Sequence, residues 1–315
     1  MSQCGSCNKI PKTKSFLGSA FLPLEEQGWP ILDTFLRAHP HPLSGYTLSC
    51  LAAWNATYQY QWVFPERGTL LISCLSPAEN KRYLLQPLGL FSKESQKQVL
   101  AEAGALKYPL RIVGVDPAFV QAFPDFAAHF SVSNERDNYN YLYQTEDLAK
   151  LAGRRFSKKR NLIAQARKEY SWTVETLSDT TIGECRTVVK GAQSERHDAA
   201  SPHLEQETLA VGDAVRLFPH LSFDGILIRI EGKPAAFSIF EPQNADTMVV
   251  HFEHALRAFK GLYQVVNQET ARAIQERGYA HINREEDLGD PGLRQSKESY
   301  YPMRLAEALV LTFSS

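Results

Sequence analysis

Two α+β modules in tandem are what this sequence predicts, and three observations carry the prediction. The chain has 315 residues, the length of two domains at roughly 100–200 residues each. Short β-type runs alternate with stretches of helical periodicity, the pattern of a mixed fold. One element order (a hairpin, a further strand, a helix, another strand) runs through 60–115 and again through 226–283, with no residue-level repeat beneath it.

Residues 1–15 read as a polar leader, 16–137 as the N-terminal domain and 138–315 as the C-terminal domain. A short helix is expected over Gly28–Ala38. His39-Pro40-His41-Pro42 ends it, because each proline restricts the residue before it. Helical periodicity returns over 46–58. Strands follow at Tyr60–Phe64, Thr69–Cys74 and Arg82–Gln86, the first two joined by the turn Pro65-Glu66-Arg67-Gly68. Ser92 caps a helix ending near Ala103. Leu110–Val115 is a strand, and Pro117–Phe130 a helix interrupted by Pro124.

In the second half Tyr139–Tyr143 is a strand. Thr145 caps a long helix whose first turn carries Glu146 and Asp147, the favourable sign at that end. Trp172–Leu177 is a strand, and helices lie around 181–194 and 203–217. Ile226–Ile230 and Ala235–Phe240 form a hairpin around Glu231-Gly232-Lys233-Pro234. Thr247–Glu253 is a third strand, with His254 in the loop beyond it. A helix covers 260–277, Tyr279–Asn283 is a strand and Arg304–Phe313 the last one.

Hydrophobic residues make up 43% and charged residues 22%, an ordinary globular balance. Lys plus Arg is 34 against 35 Asp plus Glu, a net charge of −1, which excludes a uniformly basic nucleic-acid coat and a polyacidic tail. No apolar run approaches the ~18 residues of a membrane-spanning helix. The N-terminal segment lacks a signal-peptide apolar region, so a cytoplasmic location is expected. Five cysteines, an odd count, argue against a disulfide framework. Cys4 and Cys7 have CxxC spacing, but no second pair completes a four-thiolate zinc site, and they read as part of a mobile tail. Cys50, Cys74 and Cys185 lie among apolar residues and read as core.

Candidate chemistry concentrates in the second half. On a helical wheel Glu269 falls inside the apolar arc of Leu262, Val265, Val266, Ala273 and Ile274. A carboxylate there needs a partner. It reads either as a structural salt bridge to Arg284 or as a carboxylate lining a substrate cavity. In the strand 247–253, Met248, Val250 and Phe252 point one way, and His251 and Glu253 share the other face. That pair suits a base working near neutral pH, or a strand end emerging into water. Arg257, Lys260 and Gly261 precede a helix start and suit an anionic group, although most such starts bind nothing. Asn283-Arg284-Glu285-Glu286-Asp287 and the stretch to Lys297 read as a substrate-binding wall or a salt-bridged turn. Three consecutive acids suit a divalent cation by type, but neighbours on an extended chain face alternate sides and arginines compete, so no metal site is expected. Arg154, Arg155, Lys158, Lys159 and Arg160 form a basic run, either a solvated face or a contact for a phosphate-rich partner.

Two stretches resemble a known family. The first comprises Tyr139-Asn140-Tyr141-Leu142-Tyr143, Glu146-Asp147-Leu148-Ala149, Leu151-Ala152-Gly153-Arg154-Arg155-Phe156 and Lys158-Lys159-Arg160-Asn161. The second comprises His251-Phe252-Glu253, Lys260-Gly261-Leu262-Tyr263-Gln264, Asn267-Gln268-Glu269, Ile282 to Gly289, Gly292-Leu293-Arg294, Lys297, Ser299-Tyr300 and Pro302. A fainter match covers Leu51-Ala52-Ala53-Trp54 and Leu85-Gln86-Pro87-Leu88-Gly89. Together they resemble the soluble relatives of the phosphatidylglycerol lysyltransferase C-terminal domain.

The resemblance implies a tandem of two GNAT-like (acyl-CoA N-acyltransferase-type) domains, each a mixed central sheet flanked by helices. It also implies kinship with enzymes that move an aminoacyl group from charged tRNA onto lipid. Under it Glu253 is the candidate base, and Lys297, which matches the lysine of the family's C-terminal motif, or Arg294 stabilises the developing oxyanion. Glu286 and Asp287 hold an ammonium group, while Asn267, Glu269 and Arg284 line the same cavity. The basic run, Lys260 and Gly261 meet tRNA or another anion. The expected donor is aminoacyl-tRNA, and the acceptor an anionic lipid or a small amine or hydroxyl compound. Acetyl-CoA ranks behind: Arg257 and Gly261 are four apart where the CoA loop has three, and Tyr263 stands at its small-residue position. A CoA-dependent N-acyltransferase, and a non-catalytic module binding RNA or anionic membrane, stay open as alternatives.

Overall fold

A computed structural model describes residues 16–195 and 202–314. The leader with Cys4 and Cys7 lies outside the described residues. The strands are β1 (Leu22–Pro23), β2 (Gln61–Glu66), β3 (Thr69–Ser76), β4 (Lys81–Leu85), β5 (Leu88–Gly89), β6 (Arg111–Val115), β7 (Phe130–Asn134), β8 (Asn140–Gln144), β9 (Trp172–Thr176), β10 (Asp224–Ile230), β11 (Lys233–Pro242), β12 (Thr247–Ala255), β13 (His281–Asn283), β14 (Arg304–Ala306) and β15 (Leu309–Phe313). The α-helices are α1 (Trp29–Ala38), α2 (Leu48–Ala53), α3 (Asn55–Tyr58), α4 (Lys93–Ala105), α5 (Pro117–Ala122), α6 (Pro124–Ala127), α7 (Thr145–Lys150), α8 (Ser157–Glu169), α9 (Cys185–Ser194), α10 (Pro202–Leu217), α11 (Leu262–Glu276) and α12 (Pro291–Glu298).

The α+β class is as expected: two mixed sheets flanked by helices. The first runs β1-β2-β3-β4-β6-β15-β7, with β5 beside β3; the second runs β14-β8-β13-β12-β11-β10-β9. Each sheet holds one parallel pair, β4 with β6 and β12 with β13, and every other pairing is antiparallel. A parallel pair needs a crossover, which α4 supplies in one sheet and α11 in the other.

Alternation along the strands divides the cores. In β10, Ile226, Ile228 and Ile230 pack with Val265, Val266 and Ile274 of α11, while Leu227 packs with Val188 of α9 and Val211 of α10. Ala52 and Ala53 of α2 join that second group, so a helix from the first half covers the second sheet. Leu142 and Ala306 in turn enter the core beneath the first sheet with Leu70 and Ile72. The two halves therefore share apolar cores.

Three expectations are corrected. The helix from Thr145 is not continuous: Leu151 (φ 48°) and Gly153 (φ 82°) take left-handed conformations that end α7, and a new helix starts at Ser157. His254 lies within β12, not in a loop. The single last strand over Arg304–Phe313 is two strands in two sheets: β14 pairs with β8, whereas β15 pairs with β6 and β7 of the first sheet. A segment expected within the C-terminal domain thus completes the other sheet.

Candidate functional site

The parallel strands β12 and β13 pair over only three residues, Thr247 with His281 to Val249 with Asn283. Beyond Asn283 the chain stays on β8, with Arg284 N donating to Tyr141 O (2.9 Å) and Tyr141 N to Glu285 O (3.1 Å). The two strands therefore diverge, and polar side chains gather where they part.

A β-bulge decides which side each residue takes. Ile239 of β11 faces Phe252 and the next residue, Phe240, faces Val250, so His251 is the extra residue. Met248 and Val250 pack on the α11 side, but Phe252 packs on the α2 side. This corrects the expectation that all three point one way and that His251 and Glu253 share a face. Glu253 turns toward α11, and His251 toward α2.

On the α11 side Glu253 Oε1 accepts from Arg284 Nη2 at 2.7 Å, with both side chains largely but not wholly buried. The Asn267 carboxamide oxygen accepts from the same guanidinium at 2.6 and 3.2 Å, and Asn267 also hydrogen-bonds the Glu253 carboxyl. Burial raises the Glu253 pKa above the ordinary carboxylate value, with Arg284 pulling the other way. Burial disfavours the Arg284 charge, and Glu253 outweighs it. The expected Glu269–Arg284 bridge is absent: Glu269 pairs with Arg272 at 3.0 Å, one helical turn along, because Arg284 faces β12. The Tyr300 ring lies between two cations, Lys159 Nζ 4.0 Å and the Arg284 guanidinium 5.6 Å from its centroid. Burial, with Arg284 nearby, lowers the Lys159 pKa to about 8.

Lys297 is buried and donates to the backbone carbonyls of Arg284 (2.5 Å) and Glu286, clamping the chain that carries the site. Its own carbonyl accepts from Tyr143 Oη at 2.9 Å. Burial lowers the Lys297 pKa and raises that of Glu286, each partly offset by the other's charge. Glu286 accepts from Asn140 Nδ2 at 3.3 Å. Asp287 is fully buried and accepts from Arg294 Nε (2.8 Å) and Nη2 (2.6 Å), Tyr141 Oη (2.5 Å), Arg136 Nη1 (3.2 Å) and Gly289 N (2.9 Å). Its acceptor capacity is filled by the protein itself.

On the α2 side His251 is enclosed. Its Nε2 lies 2.8 Å from Glu241 Oε1 and its Nδ1 2.8 Å from Glu285 Oε1. Ser49 Oγ donates to Glu241 Oε2 at 2.7 Å, and the Cys50 thiol lies beside the ring and Glu285. Burial alone would neutralise the ring, but Glu285, Cys50 and Glu241 raise its pKa well above the ordinary histidine value. Cys74 and Cys185 are core residues as expected; Cys50 is not merely filler.

The basic run is only partly available. Arg155 pairs with Asp147 at 2.7 Å, Arg160 donates to the carbonyls of Leu151 and Gly153, and Lys159 donates to Ser299 Oγ at 2.6 Å. Arg154 and Lys158 are exposed, with no ion pair among the described residues. At the start of α11 Gly261 has φ 85°, and a Cβ there would lie 2.7 Å from Leu162 O of α8. The glycine is required by helix packing. Lys260 gives its carbonyl to Tyr170 Oη (2.9 Å), and the Glu195 carboxylate takes the backbone N–H groups of Arg257 (2.5 Å) and Ala258 (3.3 Å). A groove of about 530 Å³ lies elsewhere, where Trp29 and Asn55 face Asp213 and Arg216.

Sequence reasoning did not find Glu241, Cys50, Tyr300 or Glu195 as site residues. Tyr300 carried a signal, since it falls in the quoted C-terminal motif. Glu241 carried a weaker one, as an acid near the end of a largely apolar strand.

Among curated proteins none is found to match. The chain is similar to a conserved protein of unknown function from Bacteroides thetaiotaomicron VPI-5482, at 26% identity and TM-score 0.85 over 93% of this chain and 99% of that one. It shares its fold with the C-terminal domain of a putative lysylphosphatidylglycerol synthetase from Agrobacterium fabrum, at 12% identity and TM-score 0.62 over 92% of each chain. L-PGS from Bacillus licheniformis matches at 14% identity and TM-score 0.62, again over 92% of each. The model of the family described as phosphatidylglycerol lysyltransferase, C-terminal, matches residues 37–310, most of the chain. The family resemblance seen in the motifs therefore holds over both sheets, and the chain belongs to the family of phosphatidylglycerol lysyltransferase C-terminal domains.

Proposed function

We propose that the protein transfers an aminoacyl group from aminoacyl-tRNA to a lipid or to a small amine or hydroxyl acceptor, acting in the cytoplasm. One observation carries the reading: in a member of this family, the diverging ends of β12 and β13 gather a largely buried carboxylate and guanidinium and a carboxamide, Glu253, Arg284 and Asn267. The tandem acyltransferase-type fold belongs to the same proposal, supported by the strand–helix–parallel strand unit in each sheet.

The reaction needs the acceptor to lose a proton as its nitrogen or oxygen attacks the aminoacyl ester carbonyl. Glu253, ionised, takes that proton. Arg284 faces the negative charge that develops on the carbonyl oxygen. As the intermediate collapses, the ester C–O bond breaks and the tRNA hydroxyl leaves with the proton returned by Glu253. Lys297 holds the carbonyls on either side of Glu285 and so fixes Arg284, with its remaining N–H directed to the same charge. Glu286 and Glu269 bind the substrate's ammonium. Arg154 and Lys158 meet tRNA phosphates.

A CoA donor is disfavoured by Glu195, whose carboxylate holds the N–H groups a pyrophosphate would need. The test is transfer from a pool of radiolabelled aminoacyl-tRNAs to total lipid and small amines, by wild type, Glu253→Gln and Lys297→Ala. Wild type is expected to label an acceptor, and Glu253→Gln to lose about 100-fold or more of the rate. Because Glu253 must be ionised, the rate rises with pH through a pKa above the usual carboxylate range. Full activity of Glu253→Gln, or no transfer by wild type together with a rise in Tm on adding acetyl-CoA, would overturn the reading.

A further inference from the structure

We propose that Cys50, His251 and Glu285 form a binding site for one divalent transition-metal ion, zinc by the chemistry of its ligands. The site lies across the sheet from Glu253 and goes beyond the transfer reaction. Three residues from α2, β12 and the chain after β13 each bring one ligand atom, a sulfur, a ring nitrogen and a carboxylate oxygen, all within 4.8 Å of one another. Four-coordinate zinc spaces its ligands roughly 3.3–3.8 Å apart, so the set closes on an ion by small torsional adjustments. Thiolate with imidazole selects zinc or a similar ion over magnesium or calcium.

A second observation is independent of the three ligands. Glu241 accepts from the ring at Nε2 and is itself fixed by Ser49. A buried carboxylate on the far ring nitrogen sets the tautomer in which Nδ1 presents a lone pair, the outer arrangement typical of metal-bound histidine. With that tautomer, Nδ1 and the Glu285 oxygen 2.8 Å away repel each other unless a cation lies between them. A proton is one such cation and a metal ion the other.

Without metal, the ring lies 2.8 Å from each of two carboxylates, with the Cys50 thiol beside it. On binding, the ion forms bonds to Nδ1, Sγ and the Glu285 carboxylate, and any protons held on these ligand atoms leave to solvent. Three protein ligands leave one coordination position for water. The ion ties α2 of the first half to the chain segment that begins with Arg284.

The test uses the full chain, wild type and a Cys4→Ser/Cys7→Ser variant that removes the competing CxxC thiols. Each is stripped with chelator and titrated with Co²⁺, then Zn²⁺. Both are expected to bind Co²⁺ with thiolate-to-metal charge-transfer absorption that Zn²⁺ abolishes, the variant with one equivalent. In the Cys4→Ser/Cys7→Ser background, adding Cys50→Ser removes the absorption and weakens Zn²⁺ binding about 100-fold or more, while Cys74→Ser changes neither. Glu241→Gln keeps the absorption and weakens binding about 10–100-fold. Glu285→Gln, at a partly exposed position, weakens Zn²⁺ binding by a comparable factor and secures the result should the buried variant misfold. No charge-transfer band in the Cys4→Ser/Cys7→Ser protein, or a band that survives Cys50→Ser, would overturn the site. Binding is read without any transfer assay, so its failure and that of the proposed reaction are separable.

Discussion

Asp287 illustrates how an acidic residue in a family motif can be a keystone of the local structure. Its side chain is fully buried, with Arg294, Arg136, Tyr141 and Gly289 all donating to it, and its pKa is held well below the usual carboxylate range. Burial works against that charge, and the donors overcome it. Replacing it by asparagine leaves the arginines without their counter-charge and should cost about 3–5 kcal/mol in urea unfolding at pH 7. A carboxylate with a depressed folded pKa stabilises above its unfolded pKa and loses that contribution as pH falls. The gap between wild type and Asp287→Asn should therefore be widest near neutral pH and shrink below about pH 4. An unchanged gap at acid pH would mean the destabilisation comes from packing instead. At this scale the sequence was informative about residue type: Glu253, Asn267, Arg284 and Lys297 meet in one region. It was silent about partners, because Glu241 and Ser49 are 192 residues apart and no local pattern joins them.

Helix α11 was legible as an element, and its start shows why a motif glycine is there. Gly261 was read as an anion-binding glycine, whereas its left-handed φ and the nearness of Leu162 O make it a packing requirement. Gly278, with φ 86° and nothing within 4 Å of a Cβ, provides the comparison. Gly278→Ala should cost about 1–2 kcal/mol for the backbone conformation alone. Gly261→Ala should cost more, by about 1–3 kcal/mol, from the clash with α8. Equal losses in denaturant titrations would show that α8 moves aside freely. The bulge in β12 was not legible. Strict alternation placed His251 and Glu253 together, and only pairing with β11 reveals the extra residue that separates them. A period-2 reading fails wherever one strand carries one residue more than its neighbour.

In the whole molecule the second half returns its closing strand to the first sheet. After β7 at one sheet's edge the chain crosses to place β8 inside the other sheet, and after β14 it crosses back to place β15 between β6 and β7. The sequence predicted two modules with one element order, and two sheets with the same internal parallel pair exist. The crossing was invisible because Leu305–Phe313 reads as one largely apolar run, interrupted by Glu307 and Thr312. A chain ending at Glu307 loses Leu309 and Leu311 from the core shared with Phe126 and Ile112, and strips β6 and β7 of their common partner. Those β6 amides that pair with β15 should exchange hydrogen as fast as those of a loop, although β6 lies nearly two hundred residues from the deletion. Protection of those same amides in the truncated chain would show that the first sheet stands without its last strand.

The return of β15 also sets a timetable for the newborn chain. A protein of two consecutive modules can finish the first while the ribosome is still making the second. Here β15 (Leu309–Phe313) is translated long after β7 (Phe130–Asn134), and at 5–20 residues per second it follows by on the order of ten seconds or more. During that interval β6 and β7 wait with unpaired edges, exposed to the wrong partner. The protein should therefore depend on chaperones that hold nascent chains more than its size alone would suggest.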